Sequence, residues 1–122
     1  MGTIGTHSIN PAVYPKIPYD PIADFAPVIQ YGTAPNVLVV NATSNYKSVA
    51  DLVNFARSKP GALNFGHAGV GSGQQLVGAA FMKSTGAKLQ EVPYRSSVAV
   101  YPDLISGRVE LFFDSATAAI PY

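Results

Sequence analysis

Residues 67–76 have the sequence His67-Ala68-Gly69-Val70-Gly71-Ser72-Gly73-Gln74-Gln75-Leu76. This glycine- and serine-rich stretch joins a short apolar run, residues 63–66, to a segment of helical character, residues 74–84. Glycine adopts positive φ at little steric cost and lets the backbone approach a ligand closely. A helix N-terminus presents unpaired N–H groups and a partial positive charge. The stretch therefore predicts a strand, a turn and a helix, with a turn suited to a carboxylate or phosphate.

The same alternation of strands and helices continues on both sides of this turn. Ser48, with Asp51 three residues later, is typical of a helix N-cap, and the apolar residues that follow recur at helical spacing. These residues are Val49, Leu52, Val53 and Ala56. Strands are predicted at residues 25–31, 37–40, 63–66, 88–92 and 109–113, and further helices at residues 97–106 and from Ala116 onward. Such alternation predicts an α/β fold with a mainly parallel sheet flanked by helices.

Gly86 and Gly107 are expected to end two of these helices, and Pro102 to kink the last of them or delay its start. The apolar run Val37-Leu38-Val39-Val40 is typical of a strand that is covered on both faces. Residues 1–24 contain four prolines, which favour an extended, irregular segment. We therefore divide the chain into this N-terminal segment, as a connection from a first lobe, and an α/β ligand-binding lobe at residues 25–122.

Composition excludes several classes of protein. The chain has 122 residues, of which 48% are hydrophobic and 12% charged, so it can bury a core. Its net charge is +1 without a basic cluster, which argues against nucleic acid as a partner. There is no cysteine, so disulfides and thiolate chemistry are excluded. The low charge favours a large protein–protein face or a missing partner segment.

Seven short segments, in order, resemble those of one family. They are residues 5–11 (GTHSINP), 18–28 (PYDPIADFAPV), 34–40 (APNVLVV), 59–65 (KPGALNF), 69–76 (GVGSGQQL), 92–95 (VPYR) and 112–114 (FFD). The chain resembles the extracytoplasmic solute receptors of tripartite tricarboxylate transporters, also called Bug-type receptors. One position departs from the family pattern, because Ser96 stands where a glycine usually follows the Tyr-Lys/Arg pair.

The resemblance implies a periplasmic-binding-protein-like fold of type II, of which this chain is one lobe and a fragment. It implies a periplasmic parent protein, although residues 1–7 lack the features of a signal peptide. It also implies a small organic acid as ligand, such as a di- or tricarboxylate, an amino acid or an aromatic acid. Membrane transporter subunits are the implied partners of the full-length receptor. Half of a cleft is expected to bind weakly, since such receptors close around their ligand.

The candidate binding residues centre on the glycine turn. Backbone N–H groups at Gly71, Ser72, Gly73 and Gln74, with the Ser72 hydroxyl and the Gln74 amide, suit a carboxylate. The alternative is a turn that only caps the helix. The spacing does not match the dinucleotide fingerprint or the G-x-S-x-G nucleophile elbow.

Four further candidates lie outside the turn. Asp114 either contacts the ligand or caps the helix near Ser115, and Tyr94 either donates its hydroxyl to the ligand or is an aromatic residue at the core edge. Thr6 and His7 are assigned by the resemblance to the first lobe's side of the cleft. The two histidines lie far apart without paired ligand spacing, so we expect no metal. We also expect no cofactor and no catalytic residue.

Three functions remain open from the sequence. The first is a non-catalytic receptor domain for an organic acid. The second is an α/β enzyme, which is weakened by the lack of a Ser–His–Asp arrangement and of a nucleotide fingerprint. The third is a truncated module with an incomplete site that pairs with itself as a homodimer.

Overall fold

The computed structural model describes residues 2–122, which form one sheet flanked by helices. The strands are β1 (Asn36–Val40), β2 (Asn64–His67), β3 (Gln90–Pro93) and β4 (Leu111–Ser115). The helices are α1 (Asn10–Val13), α2 (Val49–Ser58), α3 (Gly73–Thr85), α4 (Tyr101–Ile105) and α5 (Ala116–Ala119). A π-helical turn (Gly5–Ile9) precedes α1, and a 3-10 turn (Val98–Val100) precedes α4.

The four strands lie in the order β1-β4-β2-β3. β2 is parallel to both β3 and β4, and β1 is antiparallel to β4. The predicted α/β class with a mainly parallel sheet is therefore confirmed. Because β2, β3 and β4 are parallel, their carboxyl ends lie at the same edge of the sheet, where ligands bind in open α/β folds.

Apolar side chains cover both faces of the sheet. Successive residues of a strand face opposite sides, so Phe113 packs with Leu52 and Phe65 in one cluster, while Phe112 packs with Tyr101 in the other. The first cluster lies under α2 and α3, and the second lies under α4. These two layers fix the start of α3 at the carboxyl edge of the sheet.

The helix ends agree with the predicted capping residues. The Ser48 side chain accepts a hydrogen bond from the Asp51 backbone N–H, and α2 follows directly. Gly86 ends α3 with φ of 70°, and Gly107 follows α4 with φ of 77°. Pro102 lies at the start of α4, where its missing N–H is not needed, so the helix starts late as expected.

The N-terminal segment is not extended throughout. The prediction of an irregular chain over residues 1–24 is wrong for Gly5–Val13, which is helical. Pro11 lies in the first turn of α1, a position in which proline favours a helix because its ring already holds φ near the helical value. Prolines favour turns in the sequence pattern, but Pro11 starts a helix. The division of the chain at residue 24 stays a prediction.

Residues 25–31 do not form the predicted strand. They lie outside the helices and strands, and within residues 2–122 no backbone hydrogen bond joins them to another segment. Val28 is 94% exposed, and Ile29 and Tyr31 are also exposed. Their composition favours a strand, but no strand lies alongside to pair with them.

The strand at β1 was correctly predicted, but its burial was not. It pairs with β4 on one side only, Val37 is exposed, and residues 38–40 are half-buried. A hydrophobic run is therefore compatible here with an edge strand. Val49 of α2 is likewise exposed, although its spacing placed it on the apolar face of the helix, and Leu76 of α3 is exposed as well.

The three parallel strands begin one or two residues later than predicted. As a result His67 ends β2 and Asp114 lies within β4, whereas the sequence pattern placed both in the following turns. No helix in residues 2–122 is both long and apolar enough to cross a membrane.

Candidate functional site

The glycine turn between β2 and α3 is held by hydrogen bonds of its own. Gly69 and Gly71 have φ of 97° and 78°, which only glycine adopts readily. The Ser72 N–H donates to the Gly69 carbonyl oxygen at 3.2 Å. The Ser72 Oγ accepts from the Gln75 N–H at 3.3 Å, so Ser72 is the N-cap of α3. The capping interpretation of Ser72 is therefore confirmed, and its hydroxyl proton is still able to donate elsewhere.

The first two N–H groups of α3 are the donors that remain for a ligand. Within residues 2–122, no hydrogen-bond acceptor lies within reach of the N–H of Gly73 or Gln74. The N–H groups of Gly71 and Ser72, which were also candidates, already donate within the turn and its helix. The 13-residue helix adds a partial positive charge at this end. Gly73, Gln74 and the Ser72 hydroxyl thus form the part of the predicted site that suits a carboxylate.

Asp114 is buried directly beside this helix end. It is 2% exposed, and its Oδ1 accepts from the Gln74 Nε2 at 3.2 Å and from the Ser115 N–H at 2.8 Å. Its Oδ2 accepts from the Tyr101 hydroxyl at 2.8 Å. Burial and this hydrogen bond raise the pKa of Tyr101 above its ordinary value. These donors satisfy the carboxylate and tie β4 to α3 and α4.

The interpretation of Asp114 as an N-cap is wrong, because Ser115 occupies that position before α5. Among residues 2–122, no lysine or arginine forms an ion pair with Asp114. A ligand contact by Asp114 stays a prediction. Since the carboxylate already holds the Gln74 amide in place, its effect on a ligand at the turn can also be indirect.

The Tyr94 hydroxyl, predicted to donate to the ligand, donates to another side chain instead. Its hydroxyl donates to the Asp103 Oδ2 at 2.7 Å, and Asp103 also accepts from Arg108 at 3.1 Å. Burial, followed by the hydrogen bond to Asp103, raises the pKa of Tyr94 to about 12. Tyr94 packs with the buried cluster under α4, which agrees with the core-edge interpretation. Donation to a ligand stays a prediction, and it requires the hydrogen bond to Asp103 to break.

Thr6 and His7 lie in the π-helical turn, and their side chains contact each other. The Thr6 Oγ1 is 2.8 Å from the His7 Nδ1, and the Thr6 carbonyl oxygen accepts from the Tyr19 hydroxyl at 2.6 Å. These contacts are all within the N-terminal segment. A ligand role for Thr6 and His7 stays a prediction.

A different N-terminal residue reaches the glycine turn. The Tyr14 hydroxyl donates to the Val70 carbonyl oxygen at 3.1 Å. A Cβ on Gly71 would lie 3.3 Å from the Tyr14 ring, so a side chain here would crowd that ring in addition to straining the backbone at positive φ. The N-terminal segment thus packs against the turn through Tyr14, a contact that sequence spacing did not indicate.

Sequence reasoning also missed the side chains from the neighbouring strands and helices that support the turn. His67 is 1% exposed at the end of β2, and it lies beside Glu91 of β3. Gln75 and Tyr101 contact Glu91 and Asp114, respectively. Glutamate is depleted in strands, so Glu91 was the sequence signal that could have indicated this support. In residues 2–122 there is no group of three or more acidic or histidine side chains that could hold a metal ion.

Comparisons with known proteins agree with this architecture. A family model described as the tripartite tricarboxylate transporter family receptor matches residues 2–122. The chain is 40% identical over 105 residues to the "UPF0065 protein in tcbD-tcbE intergenic region" of Pseudomonas sp. (strain P51), covering 86% of this chain and 31% of that protein.

Two solved structures extend the comparison to three dimensions. R. palustris Rpa4515 with adipate has a TM-score of 0.91 and 40% identity, over 98% of this chain and 40% of that chain. MatC (Rpa3494) from Rhodopseudomonas palustris with bound malate has a TM-score of 0.84 and 26% identity, over 97% of this chain and 40% of that chain. The chain thus spans about a third of the curated relative and 40% of each structure.

The expected periplasmic-binding-protein-like fold is therefore confirmed, with the chain matching part of such a protein. Because the family model covers residues 2–122, the chain belongs to the tripartite tricarboxylate transporter receptor family.

Proposed function

We propose that this chain forms one side of a carboxylate site in a non-catalytic solute receptor. The observation that carries the proposal is the start of α3, where the N–H groups of Gly73 and Gln74 have no acceptor within residues 2–122. A carboxylate placed there would accept both N–H groups and the Ser72 hydroxyl, and the helix dipole would stabilise its charge.

The ligand class follows from the same chemistry. Backbone donors select an acid group and leave the rest of the ligand unspecified, so we propose a small organic acid. The adipate of Rpa4515 and the malate of MatC, two dicarboxylates, support this choice. The parent receptor is proposed to be periplasmic and to deliver its ligand to membrane transporter subunits, as its family description suggests.

The test is a titration of the isotope-labelled chain with adipate or malate, followed by amide chemical shifts. We expect the Gly73 and Gln74 amides to shift together and to saturate in the millimolar range, since one side of a cleft supplies only part of the contacts. The matched control is 1,6-hexanediol, which has the carbon chain length of adipate without its charge. Equal shifts with the diol, or no saturable shift with either acid, would rule out the proposed site.

Self-association as a homodimer is a second proposal, and one observation favours it. Val28, Ile29 and Tyr31 are exposed in a segment outside the helices and strands, and Ile22 is exposed in the turn before it. An apolar segment with unpaired backbone is able to pair with another chain. Sedimentation velocity over a concentration series tests this. A Val28→Lys variant should reduce association if it occurs through this segment, and a wild-type monomer at all concentrations would refute the proposal.

A further inference from the structure

Two consecutive glutamines in the first turn of α3 hold the helix to different strands. The Gln74 Nε2 donates to Asp114 of β4, as described above. The Gln75 Nε2 donates to the Glu91 Oε2 of β3 at 2.8 Å. Since β2 lies between β3 and β4, the start of α3 is attached to the strands on both sides of the one that leads into it.

Gln75 is also bonded to the turn itself. Its Oε1 accepts a hydrogen bond from the Gly71 N–H at 2.8 Å. The side-chain amide therefore bridges the backbone of the turn and the Glu91 carboxylate. Both polar ends of the amide are engaged in these contacts, so Gln75 has a supporting position instead of a ligand-binding one.

His67 holds the other end of the turn. Its Nδ1 lies 3.0 Å from the Gly69 carbonyl oxygen, and because a carbonyl oxygen only accepts, the Nδ1 carries a proton. Its Nε2 lies 3.5 Å from the Glu91 Oε2 that accepts from Gln75. The carbonyl of Gly69 and the N–H of Gly71 are thus each held by a side chain that lies against Glu91.

We infer that Gln75 is a positioning residue for the anion-binding turn, acting with His67 and Glu91. The three side chains, named here the Gln75 brace, hold Gly69 and Gly71 at their positive φ values. Held in this conformation, the turn leaves the Gly73 and Gln74 N–H groups without an acceptor in residues 2–122, and so available to a ligand. The inference rests on the proposed function for its effect on binding, but the effect on the turn is measurable without a ligand.

Gln75→Ala is the informative variant, because alanine preserves helix propensity and removes both side-chain hydrogen bonds. We expect the exchange rate of the Gly71 amide proton to rise at least tenfold, with the Phe112 amide in β4 unchanged. The Kd for adipate should rise roughly fivefold or more, as expected for the loss of one well-placed hydrogen bond. Gln90→Ala is the matched control, since it removes an amide next to Glu91 that takes no part in the brace.

Glu91→Gln is the conservative variant, and it should preserve the brace. A glutamine at residue 91 retains an oxygen that accepts from the Gln75 Nε2. We expect Gly71 exchange and the Kd for adipate to stay within about threefold of wild type, because one neutral acceptor replaces a charged one. Because this variant removes the negative charge but retains the hydrogen bond, it distinguishes the effects of the two losses.

The outcomes separate the inference from the proposed function. Unchanged Gly71 exchange in Gln75→Ala would overturn the brace, whether or not adipate binds. Faster Gly71 exchange with an unchanged Kd would overturn the positioning role, as would a fall in thermal midpoint alone. If wild type binds no adipate while Gly71 exchange still depends on Gln75, the proposed function fails and the brace is supported as a feature of the turn.

Discussion

Replacing Gly73 with proline removes one proposed ligand donor and leaves the helix intact. Gly73 is the first residue of α3, and proline is well tolerated there because its fixed φ suits the helix. The preceding Ser72 has ψ of 152°, the extended conformation that a residue before proline prefers. A Cβ on Gly73 would meet no atom within 4 Å. The N–H that disappears has no acceptor within residues 2–122, so the folded chain loses no internal hydrogen bond.

The expected effects on stability and on binding are opposite. Proline restricts the unfolded chain, so the free energy of unfolding should stay constant or rise by about 0.4–1 kcal/mol. A hydrogen bond to a charged group contributes about 1.5–3 kcal/mol. Its loss corresponds to a rise in Kd of roughly 10- to 150-fold. Gly73→Ala adds a Cβ in the same open space but retains the N–H, so its Kd should stay within about twofold of wild type.

Amide shifts during an adipate titration measure the Kd of the three proteins, and urea denaturation measures their stability. The informative pattern is a Gly73→Pro protein that is as stable as wild type but binds adipate much more weakly, next to an unaffected Gly73→Ala protein. Equal affinities for the proline variant and wild type would refute the assignment of this N–H as a ligand donor. Equal losses in both variants would show that bulk at residue 73, and not the N–H, decides binding.

Three further results follow from the packing and the hydrogen bonds. Tyr101→Phe removes a hydrogen-bond donor to the buried Asp114, so it should lower the free energy of unfolding by about 1–3 kcal/mol. Urea denaturation measures this, and a loss below about 0.5 kcal/mol would contradict it. Gly78→Ala places a Cβ 2.4 Å from the Phe65 ring, so it should cost about 1–3 kcal/mol despite its better helix propensity, and a stabilised variant would contradict this. The pKa of Tyr94 is raised to about 12, so the folded chain retains this proton longer than the unfolded chain and its contribution to stability is lost as the pH rises from about 10 through 12. Tyr94→Phe should therefore weaken the fall in unfolding free energy between pH 9 and pH 11, and an unchanged fall would contradict it.

The two long helices were predictable because their caps are local. Ser48 and Ser72 each accept a backbone N–H three residues later, and Gly86 adopts the left-handed conformation that ends α3. Such features depend on neighbouring residues only, so sequence spacing is sufficient to identify them. The alternation of these helices with apolar runs was then enough to predict the class of the fold.

The edge strand and the support of the site depend on distant residues and were not predictable. An apolar run such as residues 37–40 has the same composition in an edge strand as in a central strand, and only its neighbours distinguish the two. The contact between Glu91 and Gln75 arises from the pairing of β2 with β3 and from the helix that covers them. The turn could be identified from its glycines, but its supporting side chains could be identified only with the register of the sheet.

Residues 25–34, which lie outside the helices and strands, determine where the chain is open to proteases. A protease needs several residues of unpaired, accessible backbone, and in this segment the peptide groups are bonded to no other part of residues 2–122. Phe25 and Tyr31 offer chymotrypsin two exposed cleavage sites there. Cleavage at either site would leave the N-terminal helices next to the sheet through noncovalent contacts alone, among them the hydrogen bond from Tyr14 to Val70. The nicked protein should therefore migrate as two fragments under denaturing conditions while the sheet with its helices stays folded.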